Sequence, residues 1–301
     1  MSDFPSAVTV VAGFLAAFGI IIPALAPPAE PLVPLPPPAH VVLDSTYTAQ
    51  SVLVADLGGT WRTAERATGE RRPIASITKV MTGLLALEIL PLNTPIILSK
   101  EAVGTQGEVG NFHEGEVFAL RDALYALMMP SSNDMAMAIA ETVGERLGGK
   151  TFDEKIERFV VAMNGRARTL DMHDTLYRNP TGLDLPTYES SNFSSANDLL
   201  KLIRASMKTP ILWEPSREAD KKIVSFGQDG HLLTNSNVLT PYIINFVGSK
   251  TGTTETAGES IIIIYEPILG RPQVLILLGA EPSQRVVEAS SLLLRTGGML
   301  P

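Results

Sequence analysis

Seven prolines crowd into the twelve residues from Pro27 to Pro38. Neither a helix nor an interior strand survives that density, because each proline removes a backbone donor and locks φ. The stretch Pro27–Ala39 therefore reads as extended polyproline II. It splits the chain into a short N-terminal part and a long part that must fold without it. At about 3.1 Å per residue, a spacer of this length reaches about 40 Å. A proline-rich ligand for a recognition domain is the rival reading.

Ahead of the prolines, no charged side chain occurs between Asp3 and Glu30, and Ala7 to Ile22 is apolar apart from Thr9. A bilayer span takes about 20 apolar residues and a signal-peptide core about 7–15. This run lies at the boundary. The usual positive n-region is missing, and Pro27 directly follows the A-x-A-like Ala24-Leu25-Ala26. Both features favour an uncleaved anchor over a removed signal. A buried N-terminal helix is disfavoured, because the prolines would detach it from any core. The expected organisation is an N-terminal membrane anchor or signal segment at 1–26, a Pro-rich linker at 27–43 and one folded domain at 44–301.

Composition excludes several classes of function. The chain has 301 residues and no cysteine, so a thiol nucleophile, a disulfide framework and cysteine-based metal sites are ruled out. Its formal net charge of −8 argues against nucleic acid, whose affinity comes mainly from Lys and Arg on phosphates. Four histidines, at 40, 113, 173 and 231, show no HxxxH spacing. No metal site and no cofactor are expected.

The folded part begins and ends with strand signals. Residues 51–56 read as a strand, 57–60 as a turn and 61–68 as the returning strand. From Ser76, Ile77, Val80, Met81, Leu84, Leu85 and Leu87 recur at helical spacing until Pro91. Further helices are predicted at 120–129, 134–147 and 152–170. Ser195 with Asp198 resembles a capping box for a helix through Met207. Apolar β-rich runs follow at 243–248, 260–266 and 274–279, then an amphipathic helix at 284–295. The pattern predicts one sheet built from both chain ends, with a helical region inserted.

Three short motifs carry chemistry. In Ser76-Ile77-Thr78-Lys79, a hydroxyl and an amine at i and i+3 share one helix face. Ser76 would sit at the helix N-terminus, where N–H groups and the dipole favour developing negative charge. A serine needs a base to become a nucleophile, and Lys79 can serve if desolvation and a nearby cation lower its pKa. Alone, S-x-x-K is weak, since about one is expected by chance in a chain this long. Ser131-Ser132-Asn133 follows Pro130 between two helices. Ser131 could relay a proton from Lys79 to a leaving amine, and Asn133 could hold a substrate peptide or orient Lys79. Simple helix capping is the alternative, and S-x-N recurs at 190–192 and 195–197. Lys250-Thr251-Gly252 occurs once, at a strand edge. Lys250 would attract a carboxylate and help keep Lys79 neutral, and Gly252 permits close backbone approach. The P-loop spacing is absent.

In this order, S-x-x-K, an S-D-N-type element and K-T-G are the signature of class A β-lactamases and penicillin-binding proteins. The flanking text 72–82, the segment 163–175, the run Asn179-Pro180-Thr181-Gly182-Leu183-Asp184 and the stretch 248–254 resemble the serine D-alanyl-D-alanine carboxypeptidases, the low-molecular-mass penicillin-binding proteins. The resemblance covers nearly all of 44–298. It implies an α/β (α+β) domain of the β-lactamase/transpeptidase-like fold, with an antiparallel sheet flanked by helices. It also implies a serine D,D-carboxypeptidase that removes the terminal D-alanine of peptidoglycan pentapeptide stems. Ser76 would attack, Lys79 would take its proton and Ser131 would pass a proton to the departing D-alanine. The N–H groups of Ser76 and Thr253 would form the oxyanion hole. Asn133 and Gly252 would line the substrate site. Lys250, Thr251 and Thr253 would bind the terminal carboxylate, with Arg285 near it. Expected partners are peptidoglycan stem peptides, β-lactams as covalent inhibitors and the membrane through the N-terminal segment. The expected location is the cell envelope, on the extracytoplasmic face of the membrane, or outside it.

The departures bear on the choice of activity. No E-x-x-L-N string supplies the deacylating glutamate of a class A β-lactamase, and Glu189 does not fit it. No G-x-S-x-G elbow is present either. Ser132 stands where the family often has glycine or alanine, and Asn192-Phe193-Ser194 where His-Tyr-Ser is common; the latter is expected to be structural. The chain stops at Pro301, about fifty residues after Lys250, and resembles the short members of the family, some of which are endopeptidases. D,D-endopeptidase action on cross-links therefore stays open. So does a non-catalytic wall-binding module, which would have no need to keep Ser76, Lys79, Ser131, Asn133 and Lys250 together.

Overall fold

The computed structural model describes residues 39–59, 61–107, 109–184 and 191–300. The expected anchor at 1–26, most of the linker and Glu189 lie outside the described residues. Val41 is already buried, and its N–H donates to the Thr63 carbonyl. Among the described residues, no helix is long and apolar enough to cross a membrane.

Strands β1 (Ser51–Asp56) and β2 (Arg62–Arg66) form the predicted N-terminal pair. After the helical region comes a hairpin, β3 (Asp220–Val224) with β4 (Gly230–Thr234). Then come β5 (Phe246–Thr254), β6 (Gly258–Ile268) and β7 (Arg271–Ala280). The main sheet has the order β2-β1-β7-β6-β5, all antiparallel. The two chain ends meet at β1 and β7, as the sequence pattern predicts. The central strands lack polar alternation because both their faces are covered. Leu53, Ile262, Ile264, Val274 and Ile276 point into the helical core. Their neighbours Val52, Val54, Ile261, Ile263, Leu275 and Leu277 point the other way, onto Ala289, Leu292 and Leu293. Each such aliphatic side chain contributes about 1.5–3 kcal/mol by leaving water.

The inserted region contains α1 (Lys79–Ile89), α2 (Leu120–Met128), α3 (Asn133–Arg146), α4 (Phe152–Thr169) and α5 (Ala196–Ser206); α6 (Gln284–Thr296) closes the chain. Ser132, Thr151 and Ser195 cap α3, α4 and α5 by accepting from the third N–H onward. The capping box at Ser195 is only half made. The Asp198 carboxylate turns away to accept from the Asp174 N–H, Thr175 Oγ1 and Lys201 Nζ.

Two expectations are corrected. The strand predicted at 243–248 lies at Phe246–Thr254. Gly248 and Gly252 end the apolar pattern, but pairing with β6 continues through Lys250↔Ile262 and Thr253↔Glu259. Lys250-Thr251-Gly252 is thus inside the outermost strand of the sheet, not at a strand end. The β3–β4 hairpin was not foreseen. Its outer face mixes polar and apolar side chains, and only Ile223, His231 and Leu233 are buried.

Candidate active site

Ser76 lies in a single 3-10 turn, Ala75–Thr78, that runs straight into α1 at Lys79. The turn begins with Ala75 at φ 44°, a left-handed conformation that costs a residue with a Cβ roughly 1 kcal/mol or more. Packing on both sides imposes it. A Cβ on Gly182 would come 1.9 Å from the Ala75 carbonyl oxygen, and one on Gly252 would come 3.0 Å from Ser76 N. The 179–184 loop therefore presses on the turn from one side and β5 from the other. Asn192 ties it further, donating to Thr78 Oγ1 while its carbonyl accepts from the Ile74 N–H. That makes Asn192 structural, as expected.

Lys79 is fully buried. Its Nζ lies 2.8 Å from Ser76 Oγ, 2.7 Å from Asn133 Oδ1 and 2.8 Å from the Thr181 carbonyl oxygen. No carboxylate is among these partners. Burial, with the positive charge of Lys250 second, holds the amine well below its ordinary pKa. Asn133 opens α3, and its Nδ2 donates to the Gln106 carbonyl at 2.9 Å. That contact fixes the amide so that oxygen, not nitrogen, faces Lys79.

Ser131 sits in the loop between α2 and α3 at φ 69°. Its Oγ is buried and makes no hydrogen bond to any described residue. Such an orphan hydroxyl is costly to bury.

On the opposite wall, Lys250 is buried and donates to the Thr251 carbonyl at 2.8 Å. Burial, then the Arg285 charge, pushes its pKa down to about 7. Arg285, at the start of α6, donates to Thr253 Oγ1 at 2.8 Å and to the Gly252 carbonyl at 3.3 Å. Thr251 Oγ1 lies 2.6 Å from Ser236 Oγ. The structure thus gathers Ser76, Lys79 and Asn133 into one bonded cluster, sets Gly252 against Ser76 and joins Thr253 to Arg285.

Sequence reasoning missed three contributors. The Thr181 carbonyl is a backbone group, and no side-chain motif could announce it. Ser236 follows the unforeseen hairpin. Asp184 was part of the resemblance but was given no role.

The profile of the peptidase S11 family, D-alanyl-D-alanine carboxypeptidase, matches residues 39–268. A D-alanyl-D-alanine endopeptidase of Pseudomonas aeruginosa is 32% identical over 239 residues, covering 76% of this chain and 70% of that protein. D-alanyl-D-alanine carboxypeptidase DacB2 of Mycobacterium tuberculosis is 31% identical over 216 residues, covering 71% and 69%. Among solved structures, the D-alanyl-D-alanine carboxypeptidase from M. tuberculosis H37Rv superposes with a TM-score of 0.72 at 27% identity, over 88% of this chain and 99% of that one. The Streptomyces K15 DD-transpeptidase reaches 0.76 at 22% identity, over 85% and 99%, a likeness of fold alone. A profile match running from the first described residues to the end of β6 takes in both walls of the cleft, and this chain belongs to the D-alanyl-D-alanine carboxypeptidase family of serine peptidases.

Proposed function

We propose that the chain is a serine D,D-carboxypeptidase that removes the terminal D-alanine from peptidoglycan pentapeptide stems through an acyl-enzyme on Ser76. The observation that carries this reading is the buried Lys79 amine 2.8 Å from Ser76 Oγ, its hydrogen-bond partners among the described residues being a hydroxyl, an amide oxygen and a backbone carbonyl. A neutral amine has two protons. Asn133 Oδ1 and the Thr181 carbonyl can only accept, so they take both, and the lone pair is left for the Ser76 hydroxyl.

Ser76 Oγ attacks the carbonyl carbon of the penultimate D-alanine as its proton passes to Lys79. The N–H groups of Ser76 and Thr253 receive the developing oxyanion. Ser131 hands a proton on to the departing nitrogen; the C–N bond breaks and D-alanine leaves. Water then attacks the ester and returns Ser76. Lys250, Thr251 and Thr253, with Arg285 behind them, hold the substrate's terminal carboxylate. A β-lactam would acylate Ser76 in the same way, but its leaving nitrogen stays tethered and the ester persists.

D,D-endopeptidase action on cross-links is the second reading, favoured by the 32% identical relative of that name. A wall substrate puts the domain in the cell envelope or outside the cell. Residues 1–26 would anchor it to the membrane, with the proline-rich spacer carrying it outward. The test is release of free D-alanine from a muramyl pentapeptide, beside a Ser76→Ala control. Release by the wild type alone is expected. If neither releases D-alanine but cross-linked dimer is cut, the endopeptidase reading takes its place; if both substrates stay intact, the domain is a binding module.

A further inference from the structure

The two walls of the cleft meet at one carboxylate outside the motifs. Asp184 ends the 179–184 loop on the helical side. Its Oδ2 accepts from the Thr256 N–H at 2.9 Å, in the turn between β5 and β6. The hydroxyls of Thr254 and Thr256 face the same carboxylate and help lower its pKa. Its Oδ1 accepts from Ser191 Oγ at 3.0 Å. These bonds outweigh partial burial and hold the carboxyl below its ordinary pKa.

What lies on either side of the contact gives it meaning. On the loop side, Asn179 Oδ1 accepts from the Thr181 N–H, Thr181 Oγ1 and the Gly182 N–H, and Asn179 Nδ2 donates to the Leu183 carbonyl. That knot is rigid. It carries the Thr181 carbonyl that receives Lys79 and the Gly182 that presses on Ala75. On the sheet side, Thr256 lies three residues beyond Thr253. A carboxylate joining the two fixes the end of β5 relative to the Ser76 turn.

We propose that Asp184 is a positioning residue that sets the width of the cleft, holding the Thr253 N–H against the Ser76 turn through its bonds to Thr254 and Thr256. The inference rests on the carboxypeptidase reading above. A displacement of about 1 Å at a reacting centre costs about 100-fold in rate, so Asp184 should act on acylation rather than on substrate affinity.

The test compares acylation by a fluorescent penicillin, kcat and KM for D-alanine release, and amide hydrogen exchange across residues 253–257. Asp184→Ala should lower the acylation rate and kcat by about 10- to 100-fold, leave KM within about threefold and speed exchange in that turn. Asp184→Asn should recover most of the rate, because its carbonyl can still accept from Thr256 N and its NH2 can donate to Ser191 Oγ. Ser191→Ala, which spares the sheet contact, should match wild type. Should Asp184→Ala fail to fold, the double variant Thr254→Val with Thr256→Val removes the two hydroxyls that face the carboxylate at partly exposed positions, together with the bond that Thr254 Oγ1 accepts from the Ala257 N–H. It should slow acylation about three- to tenfold, since each such bond is worth about 1 kcal/mol. Wild-type acylation rates in both Asp184→Ala and the double variant, or a KM effect alone, would overturn the proposal. A wild type that penicillin never labels would sink the carboxypeptidase reading instead. Faster exchange in Asp184→Ala would still support the staple in that case, and unchanged exchange would remove it.

Discussion

Gly252 runs so close to Ser76 that a Cβ on it would stand 3.0 Å from the Ser76 nitrogen. The outermost strand of the sheet and the nucleophile turn are thus packed backbone against backbone at Gly252. Ser76 is reached from below by Lys79 and flanked by β5. Replacing Ser76 by Ala should leave the fold intact, because only one hydroxyl is lost. It should abolish penicillin labelling and lower D-alanine release by at least about 10³-fold. Labelling followed by mass spectrometry checks both.

The pKa of Lys250, near 7, has a worked sign. In the free enzyme its ammonium is lost as pH rises through about 7, so attraction for a terminal carboxylate weakens above that value. The expected profile is kcat/KM falling on the alkaline side. In the complex, the bound carboxylate favours the charged amine, so the corresponding limb of kcat should move to higher pH. Measurement of both parameters from pH 5 to 10 tests this, and identical alkaline limbs would contradict it.

The same shift is a stability statement. Between about pH 7 and the unfolded lysine value of 10.5, the unfolded chain binds more protons than the folded one at Lys250. Lys79 is lowered too and acts in the same direction. Their contribution to stability therefore rises with pH across this window and is lost as pH falls toward 7. Denaturant titrations of the wild type and Lys250→Met should differ in slope against pH, the variant being flatter.

Ser131 offers a separation of activity from stability. Its hydroxyl is buried without a partner among the described residues, and its backbone is left-handed. Ser131→Ala removes an unpaired polar group and should stabilise by about 1 kcal/mol. Ser131→Gly relieves the backbone strain as well, adding up to about 1 kcal/mol. Both should lose about 10²-fold in D-alanine release, as expected of a missing proton relay. Thermal melts beside turnover assays would expose any departure.

Gly182→Ala should be among the most damaging single changes. Gly182 has φ 87°, and the added carbon would fall 1.9 Å from the Ala75 carbonyl oxygen, a clash with backbone rather than with a flexible side chain. The loop or the Ser76 turn must shift. A loss of at least about 3 kcal/mol is expected, a size that points to a named steric cause. Chemical denaturation measures it.

Residues 51–56, 79–89 and 152–169 were readable because local pattern and tertiary burial agree there. Their apolar periodicity is the periodicity of the surface they cover. The β3–β4 hairpin was hidden because its outer face carries Lys222, Val224, Leu232 and Thr234, a mixed set with no clean alternation. The end of β5 was hidden because Gly248 and Gly252 are poor strand formers that the neighbouring β6 holds in register. In the candidate site, Ser76, Lys79, Ser131, Asn133 and Lys250 could be singled out beforehand because they fall in three spaced motifs.

From the sequence come the helical and β-rich blocks and, for the candidate site, the chemical groups that its motifs name: two hydroxyls, two amines, an amide and no thiol. Side-chain identity and local periodicity suffice for these, since both are properties of neighbouring residues. Folding in three dimensions is what buries Lys79 beside Asn133 and the Thr181 carbonyl, brings Lys250 within reach of Arg285's field and lets Asp184 join the two walls. Those features depend on desolvation and on contacts between segments far apart in the chain, and neither distance nor dielectric is written in a linear spacing.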